Sequence, residues 1–149
     1  MEVELERVKA RQSWAIFWAL AGTFVVTASV FLVPPFREVV MGFAFIAVSG
    51  VMFFLLGVAL IFLTVKGELG GIRKRFLILT GASAAAFPVS VLLHNAVYGL
   101  FICWFGVGFW ERVGLGDEPF FFFMAIVVCP AGFLVGSIGS IVLAIKSAR

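Results

Sequence analysis

"VMFFLLGVALIFLTV", residues 51–65, has no charge, no proline and no alternation of apolar with polar positions. A strand with one face on a core would alternate with period two. The stretch closes an uncharged run of 27 residues, Val39 to Val65. A bilayer hydrocarbon core about 30 Å thick is crossed by about 20 apolar residues in helix. In lipid the backbone must bond within its own segment unless strands close into a barrel, and barrel strands do alternate. The run therefore reads as a transmembrane helix.

The same reading extends outward to three further uncharged runs: Ser13–Phe36 with 24 residues, Phe76–Trp110 with 35 and Pro119–Ile145 with 27. The composition agrees, being 63% hydrophobic and 13% charged, where soluble domains carry about 25% charged residues. The fold expected is an all-α integral membrane protein, a single domain over residues 1–149. Its four transmembrane helices would form an antiparallel bundle with spans at about 13–33, 39–65, 76–98 and 119–145. Thirty-five residues of helix would rise about 52 Å, too far for one bilayer, so the third span is expected to stop near Gly99. That leaves an aromatic outer loop at 99–118, carrying Glu111, Asp117 and Glu118. Pro88 and Pro130 fall inside helices 3 and 4, where each removes a backbone bond and is expected to kink its helix.

Orientation follows from the basic residues. Arg7, Lys9, Arg11, Lys66, Arg73, Lys74, Arg75, Lys146 and Arg149 lie on one side, against Arg37 and Arg112 on the other. The positive-inside rule puts both termini and the middle loop in the cytoplasm. Trp14 and Trp18 then sit at the inner interface, with Trp104 and Trp110 at the outer one. The chain's pI of about 9.2 is thus a topology signal, and no nucleic-acid partner is expected. The first apolar run exceeds the 7–15 residues of a signal-peptide core, so it is expected to remain as a span in the cell membrane. The opening "MEVELERVKAR" has acids before bases, which suits the helix dipole and extends helix 1 into the cytoplasm.

Small residues recur every four positions: Ala15 and Ala19 in helix 1, and Gly132, Gly136 and Ser140 in helix 4. Such stripes let helix backbones approach in a membrane. They are expected to pack the bundle internally, with a dimer face as the alternative.

The polar exception is "FPVSVLLHNAVYGLF", residues 87–101, which holds the only His, Asn and Tyr of the chain. Ser90, His94 and Tyr98 share a helix face, and Asn95 points about 100° away from His94. All four lie toward the outer surface. Polar residues at membrane depth serve either interhelical hydrogen bonds or a function.

Catalytic constellations are missing from the sequence. Cys103 and Cys129 form no C-x-x-C and are expected at different depths, so neither a redox pair nor a disulfide is expected. No clustered His and Cys positions suggest a metal, and one histidine cannot ligate haem on both faces. No Asp, Glu, Lys or Arg interrupts a span, unlike proton-coupled exporters. No cofactor is expected, and the chain does not read as an enzyme. The first functional reading is a packing protein in the lipid bilayer, an accessory or scaffold subunit of a larger membrane complex or a homo-oligomer. The second is a small transport or channel module whose outer-leaflet polar site is Ser90, His94, Asn95 and Tyr98. The third is a haem or redox carrier using His94.

Overall fold

The structure, a computed structural model, describes residues 2–35, 42–67 and 70–147, apart from several side chains among residues 2–10. Arg37, Arg149, the turn between helices 1 and 2, the first residues of the 39–65 span and the side chains of Arg7 and Lys9 lie outside the described residues. The described chain is all-helical. Four helical stretches are long and apolar enough to cross a membrane: Arg11–Leu32, Phe43–Lys66, Gly71–Phe105 and Pro119–Ser147.

Helix α1 runs over Glu2–Leu32 and so includes the charged N-terminal segment. Helix α2, Phe43–Lys66, begins after Gly42 in extended conformation and ends with Lys66 in its last turn. A cation there favours the negative end of the helix dipole.

Helix α3 runs over Gly71–Phe105, 35 residues, and as a helix reaches beyond the expected 76–98 span at both ends. It begins five residues before Phe76, carrying Arg73, Lys74 and Arg75 in helix. It also continues through Gly99. One helical glycine costs only about 1 kcal/mol relative to alanine, and contacts beyond Gly99 oppose that cost. Phe101 packs on Phe105, Phe109 and Trp110 with ring centroids 5.6, 5.2 and 5.3 Å apart. The helix stops at Gly106, whose φ of 86° lies in the left-handed region that favours glycine. The Arg112 guanidinium donates to the Phe105 carbonyl at 2.6 Å, satisfying one of the carbonyls that a helix C-terminus leaves open.

The outer segment is therefore shorter than the expected 99–118 loop, and it contains a helical turn of its own. This turn, α4, is Phe109–Arg112, and it buries Trp110. Helix α5, Pro119–Phe123, leads into a π-helical turn at Met124–Val128 and then α6, Cys129–Ser147. In the π turn the Cys129 N–H reaches back to the Met124 carbonyl, five residues away. The extra residue falls just before Pro130, whose ring would crowd the carbonyl four residues back in an ordinary turn.

Helix α2 packs on α1 and α3, and α3 packs on α6. The core contains Phe17, Leu20, Phe53, Leu60, Leu77, Ala84 and Phe133. In a bilayer, lipid tails would be as apolar as these side chains, so burial among helices would gain little from the hydrophobic effect and close packing would carry the association. Two glycine crossings supply it. At α2/α3, a Cβ on Gly57 would lie 2.6 Å from the Gly81 carbonyl oxygen. At α3/α6, a Cβ on Gly136 would lie 2.7 Å from the Thr80 nitrogen, and one on Gly139 would strike the Phe76 ring at 2.5 Å. Between α1 and α6 the rings of Phe24 and Phe133 stack at 4.6 Å. Beside that stack an apolar cleft of about 440 Å³ opens among α1, α2, α3 and α6. At the opposite end Arg73 joins three helices: it lies 5.4 Å over the Trp14 ring and donates to the Ser147 hydroxyl at 3.2 Å.

Candidate functional site: a histidine held between two carboxylates

"DEPF", residues 117–120, has the form of a helix start, an acidic residue followed by proline at the first helical position. The structure uses it so. Glu118 is the N-cap of α5, and its two carboxylate oxygens accept from the Phe120 and Phe121 N–H groups, each at 2.9 Å. The Asp117 carboxylate in turn accepts from the Glu118 N–H at 2.7 Å. This network turns the Glu118 side chain inward, where only 5% of it remains exposed.

His94 meets it there. The ring is 18% exposed, and its Nδ1 lies 3.2 Å from the Glu118 carbonyl oxygen and 3.4 Å from Glu118 Oε2. Both oxygens can only accept, so Nδ1 carries a proton and donates. On the other side of the ring, Nε2 lies 3.7 Å from Oδ2 of Asp117, whose side chain is 52% exposed. One imidazole thus faces two carboxylates, one buried and one open to the surface. Only a doubly protonated ring presents a donor to both.

Aromatic rings enclose the imidazole. Tyr98, one turn along α3, stacks near it at 6.5 Å, and Trp110 lies nearly parallel to Tyr98 at 6.0 Å. The Trp110 indole N–H donates to the Tyr98 carbonyl at 3.3 Å. Phe122 of α5 also lies against His94, tilted, at 5.6 Å. One turn earlier on α3, Ser90 is buried with its hydroxyl against the Cys129 thiol.

The residues singled out in the sequence divide as follows. His94 and Tyr98 lie together, with Ser90 one turn below. Asn95 is elsewhere: its amide donates to the Val91 carbonyl at 2.8 Å, on an exposed face of the same helix. Gly132 and Gly136 face Ser83 and Thr80 of α3, and Ser140 is fully buried with a hydroxyl that has no partner among the described residues. Ala15 and Ala19 are exposed, because α1 packs through Ser13, Phe17 and Leu20 instead. Asp117 and Glu118 complete the His94 cluster, although the sequence reading left them in the outer loop. The helix-start signature of "DEPF" was the signal that could have placed Glu118.

Chemically the cluster can hold or pass a proton, and it ties α3 to the start of the last helical stretch. Its groups do not converge on one point, since the two carboxylates address opposite sides of the ring. Among the described residues no group of three or more His, Cys, Asp or Glu side chains is placed to hold a metal ion. Cys103 is exposed and Cys129 buried, both as free thiols. No protein-family model matches the chain, and neither comparison with curated proteins nor comparison with solved structures finds a match.

Proposed function

We propose that the chain is a multi-pass protein of the cell membrane that works through helix packing, as an accessory or scaffold subunit or a self-associating bundle. The observation that carries this reading is where its polar side chains are used. Thr23, Ser29, Thr80 and Asn95 each donate to a carbonyl four residues earlier on their own helix. His94 is engaged with Asp117 and Glu118 beside the start of α5. Meanwhile Val51, Leu55, Val58 and Phe62 present an exposed apolar face at helical spacing along α2. That face suits lipid or another membrane helix.

In this reading the four long helices are antiparallel neighbours, with both termini and the middle loop cytoplasmic. The short connection between α2 and α3 supports the arrangement. So does the order of contacts: Gly50 meets Pro88 while Gly57 meets Gly81, and Gly139 meets Phe76 while Gly132 meets Ser83. Helices α3 and α6 bend at Pro88 and Pro130, and the π turn before Pro130 supports the second bend. The test is a photoreactive amino acid at Val51 or Leu55 in intact cells. Discrete adducts with protein, of this chain or another, are expected; adducts with lipid alone would defeat the packing reading.

A second reading, a small transport module, is favoured by one observation. The half-exposed Asp117 gives the His94 imidazole an acidic approach from the surface. Its site would be His94, Asp117 and Glu118, with Tyr98 and without Asn95. Replacement of His94 by Gln separates the two, because an amide cannot titrate near neutral pH. Loss of a pH-dependent flux with the fold intact would favour transport.

A further inference from the structure

The cleft between α1 and α6 is a second feature, independent of the His94 cluster. Its walls are Phe24 and Phe31 of α1, Phe53 of α2, Phe87 of α3, and Ile126 and Phe133 from the last helical stretch. It occupies the half of the bundle nearer α4, because it takes the C-terminal part of α1 and the N-terminal part of the Pro119–Ser147 stretch. At that depth the surrounding solvent is hydrocarbon if the chain spans a bilayer.

We infer that this cleft is a binding site for an acyl chain of a lipid in the leaflet on the α4 side. The inference rests on the chain being membrane-spanning and on nothing else in the proposed function. Three comparisons select the occupant. Water is the first: at about 30 Å³ each, some fifteen molecules would fill the space, and each needs two to four polar partners. The lining offers only the side chains of Thr27, Ser83 and Cys129, divided among three helices. A partner helix is the second: ten residues of a helix about 10 Å across and 15 Å long take about 1,200 Å³, against the cleft's 440 Å³. An acyl chain is the third. A cylinder about 4.5 Å wide, one carbon–carbon contact distance, crossing about 15 Å of leaflet takes about 240 Å³. That fits, and flat rings pack well along it.

The test uses the purified full chain in phosphatidylcholine vesicles containing a small fraction of phosphatidylcholine with a diazirine on one acyl chain. Photolysis and peptide mass mapping report where the chain sits. Adducts are expected to concentrate at residues 24–32 and 126–133, to saturate with probe concentration and to be competed by unmodified lipid. They should be lost in Ala28→Trp, which fills the cleft, while labelling of the exposed α2 face persists in that variant. Unsaturable labelling spread evenly over α2 and the cleft would overturn the site. So would loss of labelling at residues 24–32 as the protein-to-lipid ratio is raised, which would assign the cleft to a second copy. If Ala28→Trp does not fold, saturation and competition in the parent protein decide. Failure of the membrane reading itself would appear differently, as no labelling on any helix.

Discussion

Gly57 and Gly81 face one another across the α2/α3 crossing so closely that neither can carry a side chain. A Cβ on Gly57 would stand 2.6 Å from the Gly81 carbonyl oxygen, and one on Gly81 would stand 2.7 Å from the Gly57 carbonyl oxygen. The obstacle on each side is backbone, which cannot rotate away as a side-chain tip can.

Gly57→Ala should therefore force the two helices apart and destabilise the protein by about 1–3 kcal/mol, the usual range for overpacking a close contact. Gly22 of α1 is the control, since a Cβ there meets nothing within 4 Å. Gly22→Ala should be neutral or stabilising by up to about 1 kcal/mol through helix propensity. Unfolding of both variants in a mild-detergent and SDS mixture measures the difference. Equal behaviour would mean that α2 and α3 do not cross at this point.

A graded result is expected at the α3/α6 crossing. A Cβ on Gly136 meets the Thr80 nitrogen and the Phe76 carbonyl at 2.7 and 3.0 Å, which are backbone atoms. A Cβ on Gly132 meets chiefly the hydroxyl of Ser83, which can turn to another rotamer. Gly136→Ala should cost more stability than Gly132→Ala, and Gly136→Leu more than either. Thermal unfolding in detergent gives the order, and a larger loss at Gly132 would show that α6 is rotated about its axis.

The contrast between these glycines and Ala15 and Ala19 marks how far the sequence could be read. Four-residue spacing of small residues identifies a smooth stripe on a helix, yet it does not say what the stripe meets. On α6 it meets α3; on α1 the packed face carries Phe17 and Leu20, and the alanines look outward. The four long apolar helices were legible because uncharged runs of more than 20 residues have few alternatives in length and composition. The limits of α3 were not, because they depend on tertiary contacts: Arg112 and the Phe101 cluster carry the helix past Gly99. His94 was conspicuous as the one histidine, but its buried partner is invisible until the chain returns 24 residues later.

The clasp of His94 on Glu118 predicts non-additivity. His94→Leu removes the donor and leaves Glu118 capping α5; Glu118→Ala removes the cap and the carboxylate acceptor but keeps the residue's own carbonyl, 3.2 Å from His94 Nδ1. Membrane hydrogen bonds average about 0.6 kcal/mol and reach about 1.7, and an N-cap is worth about 1 kcal/mol. Each single change should destabilise within that range. The double variant should lose less than the sum of the two, by about 0.5 kcal/mol or more if the groups interact directly. His94→Gln should retain most stability, since its amide still donates. Strict additivity in a double-mutant cycle would show that the Glu118 carboxylate takes no part in holding His94 and leave the contact to the Glu118 carbonyl.

Orientation provides the most far-reaching prediction, because the cell-side assignment of the His94 cluster depends on it. With both native cysteines replaced by serine, Leu115→Cys should react with a membrane-impermeant maleimide added outside intact cells, and Gly70→Cys should react only after permeabilisation. Leu115 is chosen over its neighbours Gly114 and Gly116, whose φ angles of 76° and 70° would strain a cysteine. Leu115 is exposed in the segment between α4 and α5, while Gly70 has φ of −93° and open space around it. Both sites therefore accept the change without disturbing the fold. The reverse pattern would place the basic termini outside, contrary to the nine-to-two distribution of Lys and Arg. The His94 imidazole and the lipid-facing cleft would then belong to the cytoplasmic half of the bilayer.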